Sequence, residues 1–206
     1  MVDFVDFDLI LFLDHLSTFA FALVGARIAA MRNMDYGGLL VVAAVAALSG
    51  GTFRNLILDI KPVWLDQPSL LLAVVLAVLL TITFNWVKPV GNFVQLLDSI
   101  GLAVASIAGV ALALQYETAI IPAIVLGVIS GVLGGLIRDL LAQVEPTLLH
   151  RETNGTSAFL GVVAYVVATE IGISEAISSA VAGIMVFGFR SLSIRFNWHL
   201  PKLGRK

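Results

Sequence analysis

The chain has 206 residues, of which 59% are hydrophobic and 13% charged, with a formal net charge of −2 and a mean hydropathy of +1.01. A soluble domain carries about a quarter charged residues, so this composition belongs to an integral membrane protein with no separate soluble domain. The absence of cysteine excludes disulfides, zinc–thiolate sites and iron–sulfur clusters.

Crossing the ~30 Å hydrocarbon core takes roughly 20 helical residues, so the length allows about seven crossings with short connections. The chain begins acidic, with Asp3, Asp6 and Asp8, and lacks the basic n-region of a cleaved signal peptide. Apolar runs predict span one at 9–31, entered through Phe4 and Phe7, and span two at 38–58, which contains Gly50 and Gly51. A polar turn at 61–68 follows, where Trp64 suits an interfacial anchor. Span three is expected at 69–86, span four at 94–114 and span five at 119–141, the last containing Gly134 and Gly135. A polar connector at 143–154 leads to span six at 156–168, and span seven is expected at 176–192, before a basic tail.

Seven spans put the termini on opposite sides. With the N-terminus outside, the inner segments hold ten cations: Arg27, Arg32, Lys88, Arg138, Arg151, Arg190, Arg195, Lys202, Arg205 and Lys206. Only Arg54 and Lys61 fall toward the outside. The excess of positive charge on one side predicts a multi-pass protein of the cell membrane with its N-terminus out and its C-terminus cytoplasmic.

Part of the sequence occurs twice. Gly50-Gly51-Thr52-Phe53-Arg54-Asn55 returns 84 residues later as Gly134-Gly135-Leu136-Ile137-Arg138-Asp139. The same offset pairs Leu13-Asp14 with Leu97-Asp98, Gly25 with Gly109, and Pro62 with Pro146. Each copy holds three spans, an odd number, so the second enters the membrane the other way up. The fold expected is an all-α integral membrane domain over 1–206, with seven transmembrane helices. A 3+3 inverted repeat (about 9–90 and 93–174) precedes a seventh helix with its tail at 175–206. Inverted repeats place binding or permeation sites at matching short or glycine-interrupted spans.

Gly127, Gly131 and Gly135 form a small-residue stripe in span five, matched by Ala43, Ala47 and Gly51 in span two, and close helix packing accounts for such a stripe. The adjacent glycine pairs exceed what packing needs and read as kinks in pore-lining helices. Arg54 and Arg138 have two readings: snorkelling to the nearest interface, or placement in a polar interior with Asp14 and Asp98 as counter-charges. Asp139 is not expected to neutralise Arg138, because neighbouring helical residues point about 100° apart. It is an additional acid that the first copy, with Asn55, lacks. Ser99, Ser106 and Ser130 either line a wet path or serve as helix–helix glue. His15, His150 and His199 have no metal-ligand spacing and read as interfacial, the Asn154-Gly155-Thr156 triplet falls on the inner side, and Arg190 and Arg195 read with the tail as an anchor for span seven. No phosphate-binding glycine loop, catalytic triad or metalloprotease motif is present, so an enzyme, a cofactor and a nucleic-acid partner have no support.

The doubled glycine–arginine motif, followed by Pro146 and Arg151-Glu152, resembles the prokaryotic members of the trimeric intracellular cation channel family, a bacterial membrane family also labelled as glycine transporters. The resemblance covers nearly the whole chain. It implies a homotrimer of seven-helix protomers, each with an hourglass pore lined by glycine-kinked second and fifth helices, conducting monovalent cations, chiefly potassium and also sodium. By position, the implied pore group is Gly50, Gly51, Arg54, Gly134, Gly135, Arg138 and Asp139. Asn55 departs from the aspartate frequent there in bacterial members, so one acidic group is missing. The lipid-binding motif of the animal members is not recognisable, and their phosphoinositide regulation is not carried over. Asn55, Asp14, Asp98, Ser99 and Ser130 complete the candidate ion pathway, with membrane lipids as the other partners. The alternative reading is a secondary transporter for a small amino acid such as glycine, with the arginines on its carboxylate and the aspartates on its ammonium. A purely structural scaffold leaves the paired charges unexplained.

Overall fold

A computed structural model describes residues 4–84, 93–146, 154–196 and 198. Lys88, His150, Arg151, Glu152, His199 and the tail from Lys202 lie outside the described residues. The described residues form eight helices and no strand: α1 (Phe4–Met31), α2 (Tyr36–Ile57), α3 (Val63–Asp66), α4 (Ser69–Thr83), α5 (Phe93–Gln115), α6 (Ile120–Leu141), α7 (Asn154–Glu170) and α8 (Glu175–Arg195). Five of them, α1, α2, α5, α6 and α8, are long and apolar enough to cross a membrane, which makes this a multi-pass membrane protein. The expected spans three and six rest on shorter helices, of 15 and 17 residues. The polar turn expected at 61–68 contains the short helix α3, and Asn154 of the Asn154-Gly155-Thr156 triplet is the buried first residue of α7.

The helix ends follow one device. Beyond α1, α2, α5 and α6 the chain reverses through a residue with positive φ: Asn33 (55°), Asp59 (56°), Glu117 (54°) and Gln143 (51°). The residue after each donates its N–H back into the last turn, Met34 to Ala29 O (3.1 Å), Ile60 to Asn55 O (2.9 Å), Thr118 to Ala113 O (3.1 Å) and Val144 to Asp139 O (3.0 Å). This is the Schellman closure, which satisfies carbonyls that would otherwise be left bare at the helix end. The reversals at 33 and 117, and at 59 and 143, are each 84 residues apart. At its start, α2 is capped by Asp35, whose side chain accepts from Gly38 N at 2.7 Å.

Packing repeats with the same spacing. The helix α1 packs on α2 and α4, while α5 packs on α6 and α7, and the two groups meet where α1 lies against α5 and α2 against α6. Val42, Ala43, Val74 and Ala77 fill the first interior, and Val110, Leu126, Val162 and Ala182 the second, Ala182 coming from α8. Outward, α2 and α6 present Leu40, Val41, Leu56, Ile57, Ile121, Val125 and Leu140, an apolar surface suited to lipid or to another apolar partner.

Both glycine pairs lie inside uninterrupted helices. Their two members do different things. A Cβ on Gly50 would run into the backbone carbonyl of Ser130, and one on Gly134 into that of Ala46. Ala46 and Ser130 are themselves 84 residues apart, so the two helices touch reciprocally at their crossing. Here the missing side chain is what lets the backbones approach. Gly51 and Gly135 have only ordinary contacts, with the guanidinium of Arg54 (3.9 Å) and Arg138 (3.6 Å). Gly50→Ala or Gly134→Ala is therefore expected to cost about 1–3 kcal/mol through forced separation of α2 and α6. Gly51→Ala or Gly135→Ala should be neutral or stabilising by up to about 1 kcal/mol through helix propensity. Thermal unfolding of the purified protein in detergent separates the two classes, and equal tolerance of all four would refute the close-approach role.

Candidate functional site

Two clusters of buried charge stand 84 residues apart. In the first, Arg54 of α2 forms a fork on Asp14 of α1, Nη1 to Oδ1 at 3.0 Å and Nη2 to Oδ2 at 2.9 Å. Its third nitrogen, Nε, donates to Asn55 Oδ1 at 2.9 Å, and Asn55 Nδ2 donates to Lys61 O at 2.7 Å. In the second, Arg138 Nη1 of α6 donates to Asp98 Oδ1 of α5 at 2.5 Å, while Nε and Nη2 meet Asp139 Oδ1 at 2.9 and 2.8 Å. A further arginine joins here: Arg190 of α8 donates from Nη2 to Asp98 Oδ2 at 2.6 Å.

Arg54, Arg138 and Arg190 are 1–2% exposed, so none of them snorkels. An ion taken out of water loses several kcal/mol of hydration, which only a close partner of opposite sign with satisfied hydrogen bonds offsets. The guanidinium fork meets that demand because it offers several donors in one plane. The geometry also corrects the expectation for Asp139. Although Cβ atoms of adjacent helical residues diverge, the long Arg138 side chain curls back along its helix and reaches its neighbour, as Arg54 reaches Asn55. Arg190 was grouped with the anchoring tail, yet its side chain is buried against Asp98. The signal that could have found it was its place inside an apolar run, after Val186-Phe187-Gly188-Phe189. Trp64, expected as an interfacial anchor, donates from Nε1 to Thr52 Oγ1 at 3.0 Å and lines a cavity with Asp14 and Arg54 of the first cluster.

Both serines among the candidates bond within their own helices, Ser99 Oγ to Gln95 O and Ser130 Oγ to Leu126 O, each at 2.7 Å. Ser130 nonetheless lines a small cavity of about 30 Å³ together with Asp14, Phe21, Ala46, Gly50, Gly51, Arg54, Trp64 and Gly134. That volume holds about two waters. Asp14 and Val63 also face a wider cavity of about 320 Å³, lined by Ile10, Leu11, Asn55, Ile60, Lys61, Asp66, Leu112 and Tyr116. A third, of about 240 Å³, holds the second cluster: Asp98, Arg138, Asp139 and Arg190, with Val94, Gln95, Val144, Glu145, Ile28 and Arg32. Much of the lining of the two wide cavities comes from corresponding positions. Ile10, Leu11, Asp14, Asn55, Ile60 and Lys61 become Val94, Gln95, Asp98, Asp139, Val144 and Glu145 at the 84-residue offset. Leu112 and Tyr116 in one cavity answer to Ile28 and Arg32 in the other. The structure thus gathers Gly50, Gly51, Arg54, Asp14, Gly134 and Ser130 around the narrow cavity. Gly135 is placed beside Asp98, Arg138 and Asp139 in the second cluster, and Ser99 is buried in α5.

The chain matches the family described as Glycine transporter twice, over residues 11–86 and 95–170. It is 34% identical over 203 residues to the UPF0126 inner membrane protein YadS of Escherichia coli strain K12, covering 94% of this chain and 95% of that protein. Among solved structures it is similar to a TRIC trimeric intracellular cation channel orthologue from Rhodobacter sphaeroides, with TM-score 0.87 and 29% identity over 92% of this chain and 98% of that one. A structure described for conductance through TRIC cation channels matches with TM-score 0.84 and 30% identity, covering 95% and 97%.

Removing one partner of a buried ion pair is expected to cost about 3–5 kcal/mol, because the other charge is left stranded. Asp14→Asn and Arg54→Gln should each destabilise by that order. The double variant should lose less than their sum, a coupling that a double-mutant cycle in detergent measures. Asp98→Asn should cost more than Asp14→Asn, since it deprives two arginines. Additive single effects at Asp14 and Arg54 would show that the pair is not an energetic unit.

Proposed function

Because the chain belongs to the Glycine transporter family of membrane proteins, together with the prokaryotic TRIC channels, we propose that it is a monovalent-cation channel that conducts potassium through a path inside each protomer. The observation that carries this reading is the narrow cavity at the α2–α6 crossing, lined by Asp14 and Arg54, with a wider cavity toward each cluster, one reached by Asp14 and the other by Asp98 with its arginines. In the proposed path a cation enters one wide cavity, meets Asp14 or Asp98, and exchanges water for carboxylate oxygen and backbone carbonyls near Gly50, Gly51, Gly134 and Gly135. The arginines hold the carboxylates when no ion is present, and an entering cation competes with them. Asn55, Asp139, Ser99 and Ser130 are the remaining polar groups assigned to the path. No bond-making step is involved, so the reading is of a channel rather than an enzyme.

The same proposal includes seven crossings, three plus three in inverted orientation (about 9–90 and 93–174), and a seventh at α8 in a single membrane domain over 1–206. The double family match, the reciprocal contacts of Gly50 and Gly134, and the helix reversals spaced by 84 residues support that duplication. The charge asymmetry supports an outer N-terminus and a cytoplasmic C-terminus. By similarity to relatives described as trimeric, the protomer assembles as a homotrimer within membrane lipids.

The transporter reading is favoured by one feature: each cluster pairs opposite charges, as a zwitterion such as glycine needs. The central cavity, with room for about two waters, supports an ion instead. Recording from purified protein in planar bilayers with asymmetric potassium chloride is expected to give discrete currents that reverse near the potassium equilibrium potential. Silent bilayers beside concentrative glycine uptake into liposomes would replace the channel with the transporter.

A further inference from the structure

The two clusters are built on the same frame and differ by one substitution, Asn55 against Asp139, and one added residue, Arg190. Asp14 has both oxygens on a single guanidinium, that of Arg54. Asp98 divides its oxygens between two guanidinia on two helices, Oδ1 to Arg138 of α6 and Oδ2 to Arg190 of α8. The helix α8 lies outside both matched segments, 11–86 and 95–170, so Arg190 has no counterpart in the first half. The charges differ in step. Asp14 and Arg54 balance beside neutral Asn55, whereas Asp98 and Asp139 balance only when Arg190 is counted with Arg138.

We infer that Arg190 is a positioning residue that holds the Asp98 carboxylate and makes the cavity around the second cluster the limiting end of the ion path. Freeing Asp14 for an ion takes the movement of one side chain. Freeing Asp98 takes two, carried on two helices that both pack on α5. Arg190 also cancels the negative charge that would attract a cation to this end, and the lining of the wide cavity there includes one further cation and one further acid, Arg32 and Glu145. Two ends with walls drawn largely from equivalent positions therefore differ in how readily their carboxylate is released. This inference rests on the channel reading for its electrical consequence and on the geometry alone for its structural one.

The chain has no cysteine, so a single introduced thiol reports on one place. A Cβ on Gly135 would stand 3.6 Å from Arg138 Nη2 and 3.9 Å from Asp98 Oδ1, beside the held carboxylate and with room for a side chain. Gly51 is its partner at the first cluster, 3.9 Å from Arg54 Nη2. We would compare Gly135→Cys and Gly51→Cys, each with and without Arg190→Gln, for their rate of modification by a small cationic thiol reagent. Unitary currents of Arg190→Gln would be recorded beside those of the unsubstituted protein.

The expected result is that Arg190→Gln accelerates modification at position 135 about tenfold, the factor of one charge-assisted hydrogen bond, and leaves position 51 unchanged. Open probability or unitary current should rise together with it. Arg190→Lys, which keeps the charge but loses the planar fork, should lie between the two and guards against a variant that fails to fold. Equal acceleration at both positions would mean general loosening and overturn the inference, as would no change at 135 with unaltered currents. If the unsubstituted protein is silent while the selective acceleration at 135 persists, the channel reading fails and the holding role of Arg190 stands.

Discussion

Charge burial is the constraint on which this structure depends. In the two clusters three arginines and three aspartates sit almost wholly out of water among apolar helices, and each of these arginines reaches a carboxylate within 3.0 Å. Such groups are tolerated when opposite charges meet at close range, so the positions of α1 against α2 and of α5 against α6 are tied to the reach of an arginine. Both pairs are 40 residues apart in sequence. The glycine contacts then set how closely α2 and α6 cross while those pairs form. Cluster and crossing are thus two parts of one arrangement, with electrostatics fixing the neighbours and the absence of a side chain fixing their separation.

Much of this was legible in the sequence, and for identifiable reasons. Charges, glycines and prolines are scarce in membrane helices, so their recurrence at one offset carries information that leucine and alanine do not. The pairing of Asp14 with Arg54 and of Asp98 with Arg138 could be proposed from those positions alone, and the structure places both pairs in contact. Helix positions followed from hydropathy, since each apolar run must satisfy its own backbone.

What was not legible involved side-chain reach and cross-element contact. The contact between Arg138 and Asp139 escaped a rule about Cβ directions because the guanidinium sits several bonds beyond the Cβ. The bond from Trp64 on the short helix α3 to Thr52 on α2 is a cross-element contact that the polar segment around Trp64 does not announce. The glycine pairs were read as one unit, whereas the packing separates them into a contact glycine and a glycine that faces its own arginine. Arg190 was lost among its basic neighbours downstream, because a charge near the end of a span is ambiguous until its depth is known.

The order in which these partners emerge during synthesis gives the two clusters different histories. Asp14 and Arg54 belong to the first pair of long helices, so a nascent hairpin of α1 and α2 carries its own neutralisation as it leaves the insertion machinery. Asp98 can meet Arg138 in the same manner, but Arg190 follows it by 92 residues and arrives with the last helix. Until α8 is laid against α5, the second half holds an acidic excess in an apolar setting. Docking of the final helix is therefore the step that completes charge balance, and it gives the finished bundle an electrostatic reason to retain α8.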